Sequence, residues 1–455
     1  MSHARGLILL AVAAALSTHA ATSHAQTVTR HTSPAGLAFR YMHMPEEHSQ
    51  ALAFAWKDGT AVALPGKEAL PTLATALIME GPRGLSRSAM IEDLRDLRAT
   101  VNLGATVSVV QGNIVAPRER FAEAVRLFAR TLADPALSAD RFAEMVKSRA
   151  VASAQAAGNA EALAQRLLAR LTIGDGAYRR HAADQPAMFE RVTLDDIDRW
   201  RKNTLVRQGL ILAAAGPMTP AEAADEIDRL FVALPEEGKA VASIKPTLRA
   251  SGKVVVLERP VVQTVIAAGG PMALTVAPDL VRTQLAVAVL GGGPSGRLWK
   301  AVRERLGAAY GISTSLQAVD LDTRTLFIRT VVANDKAKGA LAAIRDEYAR
   351  FIAEGVAEEE LAPLQRVFVT NHRDRLRRAQ AVAGNLLTQA LHDYPDDYLA
   401  TYERRVGSYG RAAIDADVRT TFPKPPLTMV VVTPSSDGLV ADCLIKSPEE
   451  LARCN

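Results

Sequence analysis

The apolar strand "LILAAAGP" (Leu210–Pro217) closes one run of elements, and "LTMVVVTP" (Leu427–Pro434) closes a second run in the same order. A repeated order of strands and amphipathic helices predicts two lobes, each with its own core. In the first run, "GLAFRYMHM" (Gly36–Met44) and "ALAFAW" (Ala51–Trp56) are apolar or aromatic on alternate positions. With the polar stretch between them, they read as a β-hairpin. "GKEALPTLATALIMEG" (Gly66–Gly81) puts Leu70, Leu73, Ala74, Leu77 and Ile78 at helical spacing, with Gly81 as a stop. A helix after Ser88 follows, then the strands of "VNLGATVSVVQGNIVAP". Further helices end at Asp134, start at Ser138 or Asp140, span about Ala160–Leu171, and start at Thr193. The second run begins with the strands "KVVVLERP" and "QTVIAAGG", and continues through "PDLVRTQLAVAVLGGG", "SGRLWKAVRERLG", "AAYGISTSLQAV" and "RTLFIRTVVAN". Pro235–Lys253 loses the apolar period and reads as an exposed linker. The expectation is an α/β chain of two homologous lobes, each a mainly antiparallel sheet packed by helices. The lobes are placed at residues 26–240 and 241–455. A length of 455 residues is ample for both.

The N-terminus, "MSHARGLILLAVAAALSTHAATSHAQ", carries one Arg, then an apolar run over Gly6–Leu16, then small residues. This pattern predicts a signal peptide cut after Ala25, and hence a periplasmic or secreted protein. The apolar run is short for a bilayer span, and later apolar stretches are broken by charge or Gly-Pro. Losing the one Arg lowers the formal charge from +5 to +4. No Lys/Arg block or basic–aromatic interleaving points to nucleic acid as a partner. The two cysteines, Cys443 and Cys454, lie close together near the end of an exported chain. They predict a small terminal disulfide, with two unpaired thiols as the alternative.

The stretch "HMPEEH" (His43–His48) holds two histidines and two glutamates. A helical His-x-x-Glu-His brings its histidines about 40° apart around the helix, so both reach one metal. His43 and His48 are five residues apart, about 140° around a helix, and Pro45 lies between them. A solvated turn is the reading that fits.

Two stretches resemble landmarks of the insulinase–pitrilysin family, the inverzincin metallopeptidases. "GGGPSGRLWKAVRERLGAAYGISTSL" (Gly291–Leu316) is similar to a second-half pattern of that family: a Gly-rich turn, Ser-x-Arg-Leu, a short helix, an Arg, then Leu-Gly-x-x-Tyr. The run through "ALPTLATALIMEGPRGLS" is similar to the helix that carries zinc in active members. In element order the likeness extends over nearly the whole mature chain. Aligned on the zinc helix, Thr72 and Ala76 stand at the two histidine positions and Thr75 at the catalytic Glu. None of the three is a strong zinc ligand or a general base at neutral pH. The third ligand of the family, a Glu, is expected within Arg141–Ala157, where Glu144 stands only at the start. The resemblance thus implies an N-terminal metallopeptidase-like lobe with a degenerate zinc motif and a C-terminal lobe with an Arg/Tyr motif. His31, His181, His372 and His392 are isolated and read as surface or structural residues. Gly291–Gly293 follow a helix and precede no Gly-Lys-Ser/Thr, so they read as a helix stop, not a phosphate loop.

In two-chain members of this family, one subunit carries zinc and the other lacks it. The resemblance implies that this chain is the non-zinc subunit of an exported two-chain zinc metallopeptidase, without a cofactor of its own. Zinc is expected in a homologous partner subunit, and the substrate is a peptide. Arg303 and Tyr310 match the positions that the zinc-free subunit offers to the peptide. A guanidinium and a phenol can stabilise the negative charge that builds on a carbonyl oxygen during hydrolysis. Two alternatives stand beside this reading. One is an inert pseudopeptidase acting as a peptide- or protein-binding scaffold, with Arg303 at a helix end and Tyr310 packed on its sheet. The other is an independent zinc enzyme using His43 and His48.

Overall fold

The computed structural model describes residues 27–57, 65–174, 176–183, 186–239, 244–274 and 280–454. The signal peptide expected at residues 1–25 and the lobe boundary expected at 240–241 lie outside the described residues. The first half runs β1 (Val28–Thr32), β2 (Ala38–His43), β3 (Ser49–Trp56), α1 (Leu70–Ile78), α2 (Arg87–Asp96), β4 (Thr100–Ala105), β5 (Val110–Pro117), α3 (Arg118–Ala133), α4 (Ala139–Ala156), α5 (Ala160–Thr172), α6 (Ala177–Ala183), α7 (Ala187–Glu190), α8 (Leu194–Thr204), β6 (Ile211–Gly216) and α9 (Pro220–Phe231). The second half runs β7 (Val254–Glu258), β8 (Thr264–Pro271), α10 (Val281–Gly291), α11 (Arg297–Trp299), a π-turn over Lys300–Arg305, β9 (Ala309–Ala318), β10 (Arg324–Val332), α12 (Ala337–Glu354), α13 (Glu358–Arg375), α14 (Ala379–Leu391), α15 (Tyr402–Ser408), α16 (Arg411–Thr421), β11 (Thr428–Thr433) and β12 (Cys443–Ile445). Helix starts follow side-chain caps. Thr193 and Thr219 close capping boxes, and Ser138 caps α4. Ser86, two residues before the expected Ser88, caps α2.

The chain forms two six-stranded sheets, ordered β1-β2-β6-β3-β5-β4 and β12-β7-β11-β8-β10-β9. Five strands of each follow the same order, with β2, β3, β4, β5 and β6 matched by β7, β8, β9, β10 and β11. The pairs are mainly antiparallel, as expected, but β6 runs parallel to β2 and β11 parallel to β7. The expected hairpin is corrected here. β2 and β3 do not pair; β6 lies between them, and Ala215 stands opposite Met42 on one side and Ala51 on the other. The second sheet repeats this, with Val431 between Val256 and Ile266. Local alternation detects a strand but cannot see a partner that arrives more than 150 residues later. The sixth strands differ in origin. β1 comes from the start of the first half, and β12 from the end of the second. A disulfide joins Cys443 in β12 to Cys454.

The alternation in "SQALAFAW" is large against small rather than apolar against polar. Leu52, Phe54 and Trp56 enter the core beneath α1, α3, α8 and α9, where Phe54 meets Phe231 edge-on at 5.1 Å. Ala51, Ala53 and Ala55 line the other face with Ala213 and Ala215. That alanine face is covered by α14 of the second half, through Val382, Ala383, Leu386 and Leu387. The reverse also holds. Val255, Leu257, Val265, Ala267, Val430 and Val432 of the second sheet are covered by Leu163, Leu167, Leu168 and Leu171 of α5. Each sheet thus borrows a helix from the other half. The expected exposed linker is also pinned over residues 244–249. Arg249 N donates to Thr172 O at 2.8 Å, Gly174 N donates to Thr247 O at 2.6 Å, and Tyr178 Oη donates to Ile244 O at 3.1 Å.

Leu386, fully buried between α14 and the first sheet, tests this exchange. Leu386→Ala should cost about 2–5 kcal/mol. Urea unfolding, followed by circular dichroism and tryptophan fluorescence, should shift as one transition. Two separate transitions, with only one moved by the substitution, would contradict the interlock.

Candidate functional site

The positions expected for a zinc motif all lie on α1. Thr75 is buried, and its Oγ1 donates back to Pro71 O at 2.9 Å within the helix. Ala76 offers no donor atom. Thr72 is half-buried and lines a cavity of about 490 Å3 between the two halves. On α4, Glu144 is exposed and paired with Arg141, which also meets Glu80 at 2.9 Å. Arg149 of the same helix lines the cavity with Thr72. This donor set, with a guanidinium beside it, does not fit a zinc ion. Among the described residues, no three His, Cys, Asp or Glu are grouped to hold a metal. His43, at the end of β2, places Nδ1 2.9 Å from Met218 O, and His48 stands exposed beyond the turn. His31 contacts Thr29, His372 contacts Leu399 O, His392 stacks on Tyr394, and His181 lines the cavity.

The cavity is walled by α1, α4 and α5 from the first half and by Gly270, Gln317–Val319 and Thr325–Phe327 from the second. Among the described residues that line it, the one carboxylate is Glu68, which is 1% exposed and forms an ion pair with Arg180. Burial pushes the Glu68 carboxyl upward. The Arg180 hydrogen bond and the backbone N–H groups of Glu68 and Gly66 outweigh it and hold the carboxyl below its ordinary value. The rest of the wall mixes apolar residues such as Leu168, Ile173, Phe189 and Leu326 with Arg149, Arg166, Gln165 and Gln317.

Arg303 and Tyr310, singled out in the sequence, are brought together by the structure, but away from that cavity. α10 ends at Gly291, and Gly293 adopts φ +93° in the turn that follows. A Cβ on Gly291 would lie 2.0 Å from Thr314 Oγ1 of β9, so only glycine lets helix and strand approach. The glycine run is therefore a packing and turn device. Arg303 sits in the π-turn, and Tyr310 starts β9. The Arg303 guanidinium carbon stacks 4.8 Å from the Tyr310 ring centre and 4.5 Å from that of Trp299, and it donates to the Tyr310 carbonyl oxygen. Tyr310 is nonetheless 90% exposed. Sequence reasoning missed Trp299. Its spacing of four residues before Arg303 on a helical turn was the available signal. β9 carries Tyr310 at one end and Gln317 of the cavity wall at the other, about 23 Å away along an extended strand. The Arg–Tyr pair and the interlobe cavity are thus separate places, and the pair faces outward.

Two measurements test this description. Elemental analysis of the purified, dialysed protein should find no stoichiometric zinc. One tightly held zinc per chain, lost in the double variant H43A/H48A, would revive the reading of His43 and His48 as ligands. Glu68→Gln should cost about 1–3 kcal/mol at neutral pH, because it breaks a buried charged hydrogen bond. The folded carboxyl titrates below its ordinary 4.5, so its contribution is full above that pH. It disappears as pH falls through the folded value. Denaturation curves of parent and variant should therefore converge in acid; a gap that persists there would contradict the ion-pair assignment.

Comparison with known proteins agrees with this geometry. Residues 191–368 match the model of the peptidase M16 inactive domain. An uncharacterized zinc protease of Rickettsia bellii is 29% identical over 175 residues, covering 38% of this chain and 40% of that protein. The match therefore spans less than half the length of that curated relative. The peptidase M16 inactive domain from Pseudomonas fluorescens superposes with a TM-score of 0.81 at 20% identity, covering 92% of this chain and all of that one. The periplasmic protease PqqL from Escherichia coli gives a TM-score of 0.75 at 14% identity, over 90% of this chain and 46% of that one. At these identities the solved structures establish the fold. Residues 191–368 are thus similar to a peptidase M16 inactive domain, and the two-lobed fold is one shared with M16 structures.

Proposed function

We propose that this chain is the non-zinc subunit of an exported two-chain M16 peptidase, and that it offers Arg303 and Tyr310 to a peptide held at the active site of a homologous zinc-bearing partner. The carrying observation is Tyr310 itself. Its ring is 90% exposed, yet Arg303 stacks on it and bonds its backbone. An exposed aromatic held in one place by a cation suits a group that acts on something outside its own chain. Trp299 behind Arg303 completes the shelf. The degenerate α1 motif supports the zinc-free role, since Thr72, Thr75 and Ala76 supply neither ligands nor a base. On this reading the Tyr310 hydroxyl and Arg303 guanidinium meet the scissile carbonyl oxygen as it gains charge, and hydrolysis needs the partner. The signal-like N-terminus, the Cys443–Cys454 disulfide and the likeness to a periplasmic protease support export. Among the described residues, no helix is long and apolar enough to cross a membrane.

The second reading is an inert peptide- or protein-binding scaffold. It is favoured by the interlobe cavity, which keeps a binding-sized space at the degenerate motif. Kinetics of this chain combined with a zinc-bearing M16 chain separate the two. Tyr310→Phe removes one hydroxyl and should lower kcat about a hundredfold or more, with KM changed much less. Arg303→Lys keeps the charge but loses the planar fork and should also impair turnover. Wild-type turnover from both variants, with normal assembly, would leave the scaffold reading.

A further inference from the structure

The repeat of element order places α10, α13 and α14 in the second half where α1, α4 and α5 stand in the first. The first three line the cavity of Thr72. The second three line a cavity of their own, about 420 Å3, completed by Arg324 and the segment Tyr394–Tyr402. The two spaces are pseudosymmetric, but their chemistry differs. Among the described residues that line the second cavity there is no carboxylate, whereas Arg324 and Arg375 bring two guanidinium groups.

Gln389 of α14 is the decisive residue. It is 1% exposed, and both its Oε1 and its Nε2 are buried without a hydrogen-bond partner. A buried amide with both ends unmet is rare and costly, and it calls for a group presenting one donor and one acceptor. Next to it on the wall, His392 has a buried Nδ1 that also lacks a partner. Burial first, and the Arg324 charge second, hold this imidazole below its ordinary pKa, so its ring is neutral and can give or take one hydrogen bond. Arg324 is oriented by the carbonyl oxygens of Asp320 (2.6 Å) and Thr323 (3.1 Å), to which its Nη1 donates. Among the described residues it makes no ion pair. Tyr394 and Tyr398 stack at 4.5 Å and give the cavity a flat aromatic wall.

The geometry points to a binding site for the carboxylate end of a short peptide. The terminal carboxylate answers Arg324. The adjoining peptide amide supplies the N–H and C=O that Gln389 lacks. An apolar or planar side chain lies against the tyrosines. The volume is in the range of about 300–1,000 Å3 usual for small-ligand sites. No residue is shared with the Arg303–Tyr310 shelf, so this site stands whether or not that shelf acts in catalysis.

Isothermal titration calorimetry on the full mature chain tests it, with acetyl-Ala-Ala-Phe as the free acid, the same peptide as its C-terminal amide, and inorganic phosphate. The free acid should bind one per chain, with the amide and phosphate each at least about tenfold weaker. Gln389→Met, close in volume and without the amide, should weaken the free acid by about tenfold or more. Its melting temperature should stay level or rise, since an unmet polar group has been removed. Four results would overturn the assignment: no heat from the free acid up to about 1 mM, equal affinity for acid and amide, phosphate as tight as the peptide, or a Gln389→Met chain that melts lower than the parent.

Discussion

Both sheets are buried on two faces, and in each the second face is covered by a helix that belongs to the other half. α14 lies on the alanines of β3 and β6, and α5 lies on the valines of β7, β8 and β11. A sheet with an open apolar face would be an aggregation surface in water. The exchange removes two such faces at once and ties the halves together through their cores rather than through a polar seam. The remaining inter-half features depend on it. α5 carries the wall of the Thr72 cavity on one side and meets the second sheet on the other. α14 brings Gln389 to the second cavity while its apolar face rests on the first sheet.

The two cavities then follow from the repeat. In each half a short apolar helix, a long helix and the helix lent to the other sheet enclose a space. In M16 peptidases that use zinc, the first such space would need ligands on α1 and a Glu on α4. Here its wall carries Thr72 and Arg149. The helix packs through Leu70, Leu73, Leu77 and Ile78, on the opposite side from Thr72 and Ala76. Core packing and site chemistry lie on different faces of one helix, so one can change without the other.

The Arg303–Tyr310 shelf has a different origin. It depends on close backbone approach at Gly291 and on the π-turn that follows α11. π-turns often mark functional positions, and here the wider turn carries the arginine that stacks on Trp299 and Tyr310. Its place far along β9 from the interlobe cavity is why an action outside the chain is the reading it supports.

Much of the secondary structure was legible in the sequence, since strand alternation, helical spacing and caps such as Ser138 and Thr193 are local. That Thr72, Thr75 and Ala76 offer no strong zinc donors was equally plain, because side-chain chemistry does not depend on the fold. Strand pairing was not legible. "ALAFAW" announces a strand with two buried faces, but not that β6 rather than β2 pairs with it, nor that α14 covers its alanines. Trp299 behind Arg303 and the unmet amide of Gln389 were hidden for the same reason: each gains its meaning only from neighbours remote in the chain. The elements and their repeated order could be read from the chain alone, because both rest on local geometry and side-chain chemistry. Which strands meet, which half covers which sheet and where the cavities open were set by the folded whole, because those depend on burial shared between segments far apart in the chain.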